Sequence, residues 1–318
     1  MLLGAATYLP GLNRVRAKRA TGTGGTDSAR YCYSVWLRHL ALARENGLCR
    51  SAPNQVAELG PGDSIGVGLA ALISGTEVYC GLDLIQFANC QRNLAIFDEL
   101  VGLFRARAMI PGDDEFRELK PRITSNAFPS EILPEHRLVR ALSTHRLKHI
   151  REALTAPNGE GPVRYAAPWF NSEIIRRESV DMLFSQAVLE HVQDLQSTYD
   201  AMHLWLKPDG YMSHQIDFRS HNLTSEWNGH WAHSDWKWKM IKGNRAHYSL
   251  NREPHSTHVT LLRKAGFKIV SDQRLHKPSR LRHTQLARRF RGMTAEDLTT
   301  SGAFIQAVKE VNDQQCAT

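Results

Sequence analysis

The chain has 318 residues, 42% hydrophobic and 23% charged, with 40 Lys and Arg against 32 Asp and Glu for a formal charge of +8. That length carries one large α/β unit or two smaller domains, and the balance of apolar and charged residues excludes disordered and collagen-like chains. No apolar run approaches the ~20 residues of a membrane helix, so no integral membrane segment is expected, and the charge favours anionic partners without naming one.

In chain order, the first stretch, MLLGAATYLPGLNRVRAKR, places its apolar part before its basic part, the reverse of a secretory signal. It reads as a frayed tail. The alternative is weak peripheral contact, with Arg14, Arg16, Lys18 and Arg19 on an anionic bilayer. Cys32, Cys49, Cys80, Cys90 and Cys316 show no paired spacing, so neither a disulfide framework nor a thiolate zinc site is expected, and a reducing cytoplasm fits. A Gly and Thr rich segment, Thr21 to Thr26, leads into Ser28 to Ala43, where Tyr33, Trp36, Leu37, Leu40 and Ala41 recur at helical spacing.

From Val56 to about Val270, short β-prone runs alternate with amphipathic stretches, which predicts βα units around a mostly parallel sheet. Strands are expected at Val56 to Leu59, Glu77 to Leu82, Val163 to Ala166, Val180 to Phe184, Tyr211 to Ile216 and Phe267 to Val270. Helices are expected at Ile65 to Ile73, Leu84 to Leu100, Val188 to Leu206 and His258 to Ala265, with Lys207 to Gly210 as a turn. A long insertion, about Leu103 to Gly161, interrupts the alternation with a helical pattern from His136 to Leu154; loops of that length often form lids. The tail from Gln273 is Arg-rich and closes with an amphipathic stretch, Ala295 to Val311. The expected organisation is a helical N-terminal extension or lid (1–50), a core (51–272, insertion about 103–161) and a basic tail packed on it (273–318).

The sharpest local signal is Glu58-Leu59-Gly60-Pro61-Gly62-Asp63-Ser64, between an apolar strand and a helix. Glycines there let a ligand approach the backbone at the carboxyl edge of the sheet. The loop lacks the third glycine of a dinucleotide fingerprint, because Ile65 stands there, and no GK[ST] follows to make a P-loop. Asp83 ends the second strand, where a carboxylate can accept hydrogen bonds from ribose hydroxyls. The fourth strand runs into Ser185-Gln186-Ala187-Val188-Leu189-Glu190-His191-Val192.

Together these three stretches, in that order and spacing over about Val56 to Val270, resemble the class I S-adenosylmethionine-dependent methyltransferases of the small-molecule type with a VLEHV segment after the fourth strand. The resemblance implies a Rossmann-like seven-stranded, mostly parallel sheet flanked by helices, its last strand antiparallel. It also implies S-adenosylmethionine as cofactor. Glu58 would act on the amino group through the loop network, Gly60 and Gly62 would pass under the amino-acid moiety, and Asp83 would take the ribose. Ala166 or Ala167 would lie beside the adenine, with Ser185 and Gln186 as the pocket floor. Ser64, where the family often has a glycine or small residue, is a departure bearing on affinity.

A catalytic base, where the acceptor needs one, should lie near the ends of strands four and five. His221, on the loop past strand five, is the candidate, with His214 and Asp217 on the strand as alternatives. A hydrogen-bonded strand histidine is an equal reading for His214, and Glu190 and His191 read as capping or bracing residues. The set His214, Asp217, His221, His230 and His233 matches no standard metal spacing, so no metal is expected. Tyr33, Trp227, Trp231 and Arg252 are candidates for the substrate pocket; a satellite apolar cluster is the other reading of the tryptophans, and a solvated side chain that of Arg252. The expected activity is O-methylation of a small molecule such as a sugar or secondary metabolite. A nucleic-acid methyltransferase is the alternative, and a catalytically silent scaffold the third. Ser185-Gln186-Ala187-Val188 lacks the Asn/Asp-Pro-Pro-aromatic run of base-amino methylation, so nucleic acid is not expected. Oligomeric state and acceptor atom are not legible.

Overall fold

The computed structural model describes residues 25–310 except 118, 156–160, 170–171 and 244–248. The N-terminal stretch through Gly24, and the end of the tail with Cys316, lie outside the described residues. The elements are α1 (Ala29–Glu45), β1 (Gln55–Leu59), α2 (Gly66–Ile73), β2 (Val78–Leu82), α3 (Cys90–Arg105), α4 (Glu135–Ala141) and α5 (Thr144–Thr155), then β3 (Val163–Ala166), β4 (Val180–Gln186), α6 (Leu195–Trp205) and β5 (Leu206–Asp217). They end with α7 (Asp235–Lys242), α8 (His255–Lys264), β6 (Phe267–His276), α9 (Ala295–Thr299) and β7 (Thr300–Lys309).

The strands form one seven-stranded sheet ordered β3-β2-β1-β4-β5-β7-β6, with β7 antiparallel to both neighbours and the first five strands parallel. On one face, α1, α2, α3 and the insertion pack against Val56, Tyr79, Met182, Phe184 and Tyr211; on the other, α6 and α8 cover Leu59, Leu183, Met212, Ile216 and Ile305. β1 is central and buried on both faces, which explains why Val56, Ala57 and Leu59 are apolar on both sides of the strand, with Glu58 the one charged residue among them.

Three differences from the expected elements have local causes. Thr300–Lys309, in the sequence only part of an amphipathic stretch, is a strand: α9 stops after one capped turn, in which Thr294 and Asp297 bond reciprocally, and the next residues zip between β5 and β6. The segment expected as a tail therefore supplies a strand paired on both sides, and the boundary at 272 falls inside β6. Lys207 to Gly210 loops out between the paired residues Leu206 and Tyr211 of one long strand. The helix expected from Val188 begins only at Leu195, with Asp194 accepting from the Ser197 N–H at 3.0 Å, because Leu189–His191 forms a separate 3₁₀ turn.

The N-terminal helix is an integral part of the core. Cys32, Tyr33, Val35, Trp36, Leu37 and Leu40 are fully buried, and its polar residues are satisfied inside: Trp36 Nε1 donates to Ser74 Oγ at 2.9 Å, and Arg38 donates to the carbonyls of Pro111 and Pro121. The helix therefore packs as part of the main apolar core of the domain. Among the described residues no helix is long and apolar enough to cross a membrane.

Candidate active site

Parallel register brings the ends of β1, β2 and β4 side by side, with Leu59 opposite Leu82 and Ser185. Gly60, Asp83 and Gln186 therefore sit at one edge. Gly60 and Gly62 have φ of +62° and +78°, and a Cβ on Gly60 would stand 2.6 Å from Val188 Cγ2, so the turn needs glycine for both conformation and space. Asp83 is 8% exposed and accepts from the Leu84 N–H at 2.9 Å; burial pushes its carboxyl up to about 6. Its backbone is pinned on both sides, its N–H donating to the Ala166 carbonyl and its carbonyl accepting from Trp169, which puts Ala166 and Ala167 next to it. Behind the loop, Glu58 is buried and accepts from the Tyr79 hydroxyl at 2.6 Å; burial raises it to about 8.

From the other side, α1 and the residues before it meet the loop. Ser64 Oγ donates to the Thr26 carbonyl, and the Ser64 N–H reaches Thr26 Oγ1 at 3.4 Å. His39, buried and lowered to about 4 by burial, contacts Ser213 Oγ at 2.8 Å and Gln186 Oε1 at 3.1 Å, while the Gln186 amide donates to the Lys120 carbonyl. Gln186 thus ties α1 and the insertion to the end of β4. This anchor was not visible in the sequence, since its partners lie 147 and 66 residues away.

Ser185 and His214 are both buried and joined Oγ to Nδ1 at 2.7 Å, and burial lowers His214 to about 3. His214 is a packed strand histidine. Tyr33 is fully buried and donates to the Ala108 carbonyl at 2.6 Å, fastening the insertion to α1. Trp231 is likewise buried, donating to the Arg252 carbonyl, with Trp227 against it and donating to Pro278. Arg252, 4% exposed, pairs with Asp235, donates to the His230 and His233 carbonyls and lies over the Trp238 and Phe290 rings. The structure thus gives Tyr33, Trp231 and Arg252 packing positions, and the tryptophans form a satellite cluster holding down the excursion after β5.

The groups that do converge at the edge are Glu190, His191, Asp217 and His221. His221 and Asn222 take left-handed φ values of +48° and +61°, which turn the chain back after β5 and bring the His221 ring to 5.2 Å from that of His191. Asp217 is gripped by Arg219 and lies 3.5 Å from His221 Nε2; burial alone would raise it, but His221 and Arg219 hold it well below the usual range. Burial, then the Asp217 charge, pushes Glu190 well above its usual range, and burial with His221 lowers His191 to about 4. Glu190 and His191, expected from the sequence to cap or brace, stand in this cluster, and the Glu190 carbonyl accepts from the Asn251 N–H at 2.8 Å.

The loop, the carboxylate at the end of β2 and the buried acid behind them suit a nucleoside with a charged amino-acid tail: Gly60 and Gly62 would let the tail lie on the backbone, and Asp83 would hold the ribose. A separate cavity of about 350 Å³ opens among Gln55, Val78, Arg164, Ile174 and Arg176, at the opposite end of the strands and away from this chemistry.

Residues 145–213 match the family model described as a methyltransferase domain. No curated protein sequence matches the chain. Among solved structures it is similar to phosphoethanolamine N-methyltransferase 2 of Haemonchus contortus in complex with S-adenosyl-L-methionine, at 14% identity and a TM-score of 0.43, over 87% of this chain and 53% of that one. The chain spans about half the length of that protein. It is also similar to an S-adenosylmethionine-dependent methyltransferase from Mesorhizobium loti, at 14% identity and a TM-score of 0.41, over 82% of this chain and 94% of that one. The methyltransferase-domain match over residues 145–213 and the seven-stranded sheet with its antiparallel last strand agree with the resemblance to class I S-adenosylmethionine-dependent methyltransferases read from the sequence.

Proposed function

We propose that the chain methylates an oxygen atom of a small molecule, with the acceptor hydroxyl activated beside Glu190, His191, Asp217 and His221. The observation that carries this reading is the position of that cluster. Val188, which packs over Gly60, is two residues from Glu190, so the polar groups stand next to the loop assigned to the cofactor. S-adenosylmethionine, when bound, supplies an already activated methyl group. The chain's own residues hold and align the acceptor and help its proton leave.

The basic tail supports the small-molecule reading over nucleic acid, because its arginines are partly spent internally. Arg274 pairs with Asp272 and Glu296, Arg289 with Asp235 and Glu253, and Arg280 with Glu226. The test is transfer of label from methyl-labelled cofactor to a panel of sugars and phenols, against an RNA pool. Activation at the cluster is worth ~100- to 10,000-fold, so His221→Ala should cut turnover by that order with cofactor affinity retained. Label appearing in RNA alone would replace the reading with the nucleic-acid one, and cofactor binding without turnover on any acceptor would favour the silent scaffold.

A further inference from the structure

Glu190 is 3% exposed, and neither carboxylate oxygen finds a hydrogen-bond donor among the described residues. A buried carboxylate in that condition is costly unless it keeps a proton or a cation meets it. Arg219 is committed to Asp217 through contacts of 2.7 to 3.0 Å. What does face Glu190 is a pair of imidazoles: one oxygen of Glu190 and one ring nitrogen each of His191 and His221 lie within 4.8 Å of one another.

From this juxtaposition we infer that Glu190, His191 and His221 form a binding site for a first-row divalent transition-metal ion at the acceptor edge of the cleft. Donors around one ion at ~2.1 Å stand roughly 3 to 4 Å apart, so closure needs side-chain shifts of about an ångström. Two imidazoles and one carboxylate suit zinc-like ions better than Mg²⁺ or Ca²⁺, which prefer all-oxygen sets. Three protein ligands leave positions open for water or an acceptor oxygen. Asp217, anchored by Arg219 and 3.5 Å from His221 Nε2, is placed to orient that ring, the outer support that metal-binding histidines usually have. Glu190 and His191 come from the turn after β4 and His221 from the loop after β5, so no contiguous spacing announces the site.

This inference deepens the proposed reaction and rests on it for its chemical use. An acceptor hydroxyl oxygen on the open position becomes more acidic and loses its proton to solvent. The oxygen lone pair then forms the bond to the methyl carbon, the carbon–sulfur bond breaks, and its electron pair stays on sulfur. The products are a methyl ether and S-adenosylhomocysteine, with no change of oxidation state. His221 then acts as a ligand and not as the base expected from sequence.

The test uses untagged full-length protein stripped with chelator and titrated with Co²⁺, read by visible d–d absorption and calorimetry, with S-adenosylhomocysteine binding measured on the same samples. One Co²⁺ per chain is expected. Glu190→Gln and His221→Ala should each weaken it by more than about 100-fold, the upper end of what loss of an outer-shell partner costs, while S-adenosylhomocysteine binding persists as proof of folding. His149→Ala, an exposed histidine on α5, should change nothing. Absence of a Co²⁺ spectrum in wild-type protein that binds S-adenosylhomocysteine, or an unchanged spectrum in Glu190→Gln, would overturn the metal site alone. Co²⁺ binding without S-adenosylhomocysteine binding would uphold the site and remove the methyltransfer reading.

Discussion

Asp83→Asn separates the ribose assignment from a purely structural role for this carboxylate. The substitution preserves shape but halves the acceptor capacity and removes the charge. Charge-assisted hydrogen bonds contribute about 1.5–3 kcal/mol against 0.5–1.5 for neutral ones, so losing one bond and weakening the other costs about 2–4 kcal/mol, roughly 30- to 1,000-fold in Kd. A second signature follows from burial, which raises the free carboxyl to about 6. Ribose binding requires the ionised form, so protons compete with the ligand below that value. Wild-type affinity for S-adenosylhomocysteine should fall about tenfold per pH unit below pH 6, and the Asn variant should lose that slope. Glu58, protonated up to about 8, stays neutral through this window and does not confound it. Calorimetry at pH 5, 6 and 7.5 on both proteins reads both effects. Equal affinities, or identical pH slopes, would refute the assignment of Asp83.

The other expectations concern the scaffold around the site. Trp36→Ala should cost about 3–5 kcal/mol in urea unfolding, because the ring is fully buried and hydrogen-bonded to Ser74; a loss under ~1 kcal/mol would return α1 to the role of a movable lid. Gly60→Ala should cost ~1–2 kcal/mol for its left-handed backbone and more where the new Cβ meets Val188, and calorimetry should find cofactor binding impaired beyond the loss in thermal stability. Glu58→Gln should flatten the pH dependence of stability. In wild type the folded state keeps the Glu58 proton up to about pH 8, while the unfolded chain releases it above about 4.5, so this group's contribution makes stability fall between those values by at most ~1.4 kcal/mol per pH unit. Matching unfolding curves for the two proteins across pH 5 to 8 would contradict that burial.

The glycine loop, Asp83 and the alternation of strands and helices were legible because each is a local pattern: a turn chemistry, a strand end, a period. β7 was not, because Gly302 to Val308 pairs on both edges and its mixed residues mimic a helical stripe; Gln306 is buried there only because Asn46 and Ser213 bond to it. The depth of α1 was hidden for the same reason, since Ser34, Arg38 and His39 look like solvent-facing residues until their distant partners are known. Candidate pocket residues chosen for their chemistry, Trp231 and Arg252, found partners in each other's segments instead. The Glu190–His191–His221 cluster needed the left-handed turn at His221, which sequence alone does not announce.

A crystal structure with S-adenosylhomocysteine bound tests the account most directly. It should show the ribose hydroxyls on Asp83, the amino-acid tail over Gly60 and Gly62, and the thioether sulfur turned toward Glu190, His191 and His221. A ligand seated in the cavity among Gln55, Val78 and Arg176, or a sulfur facing away from that cluster, would contradict it.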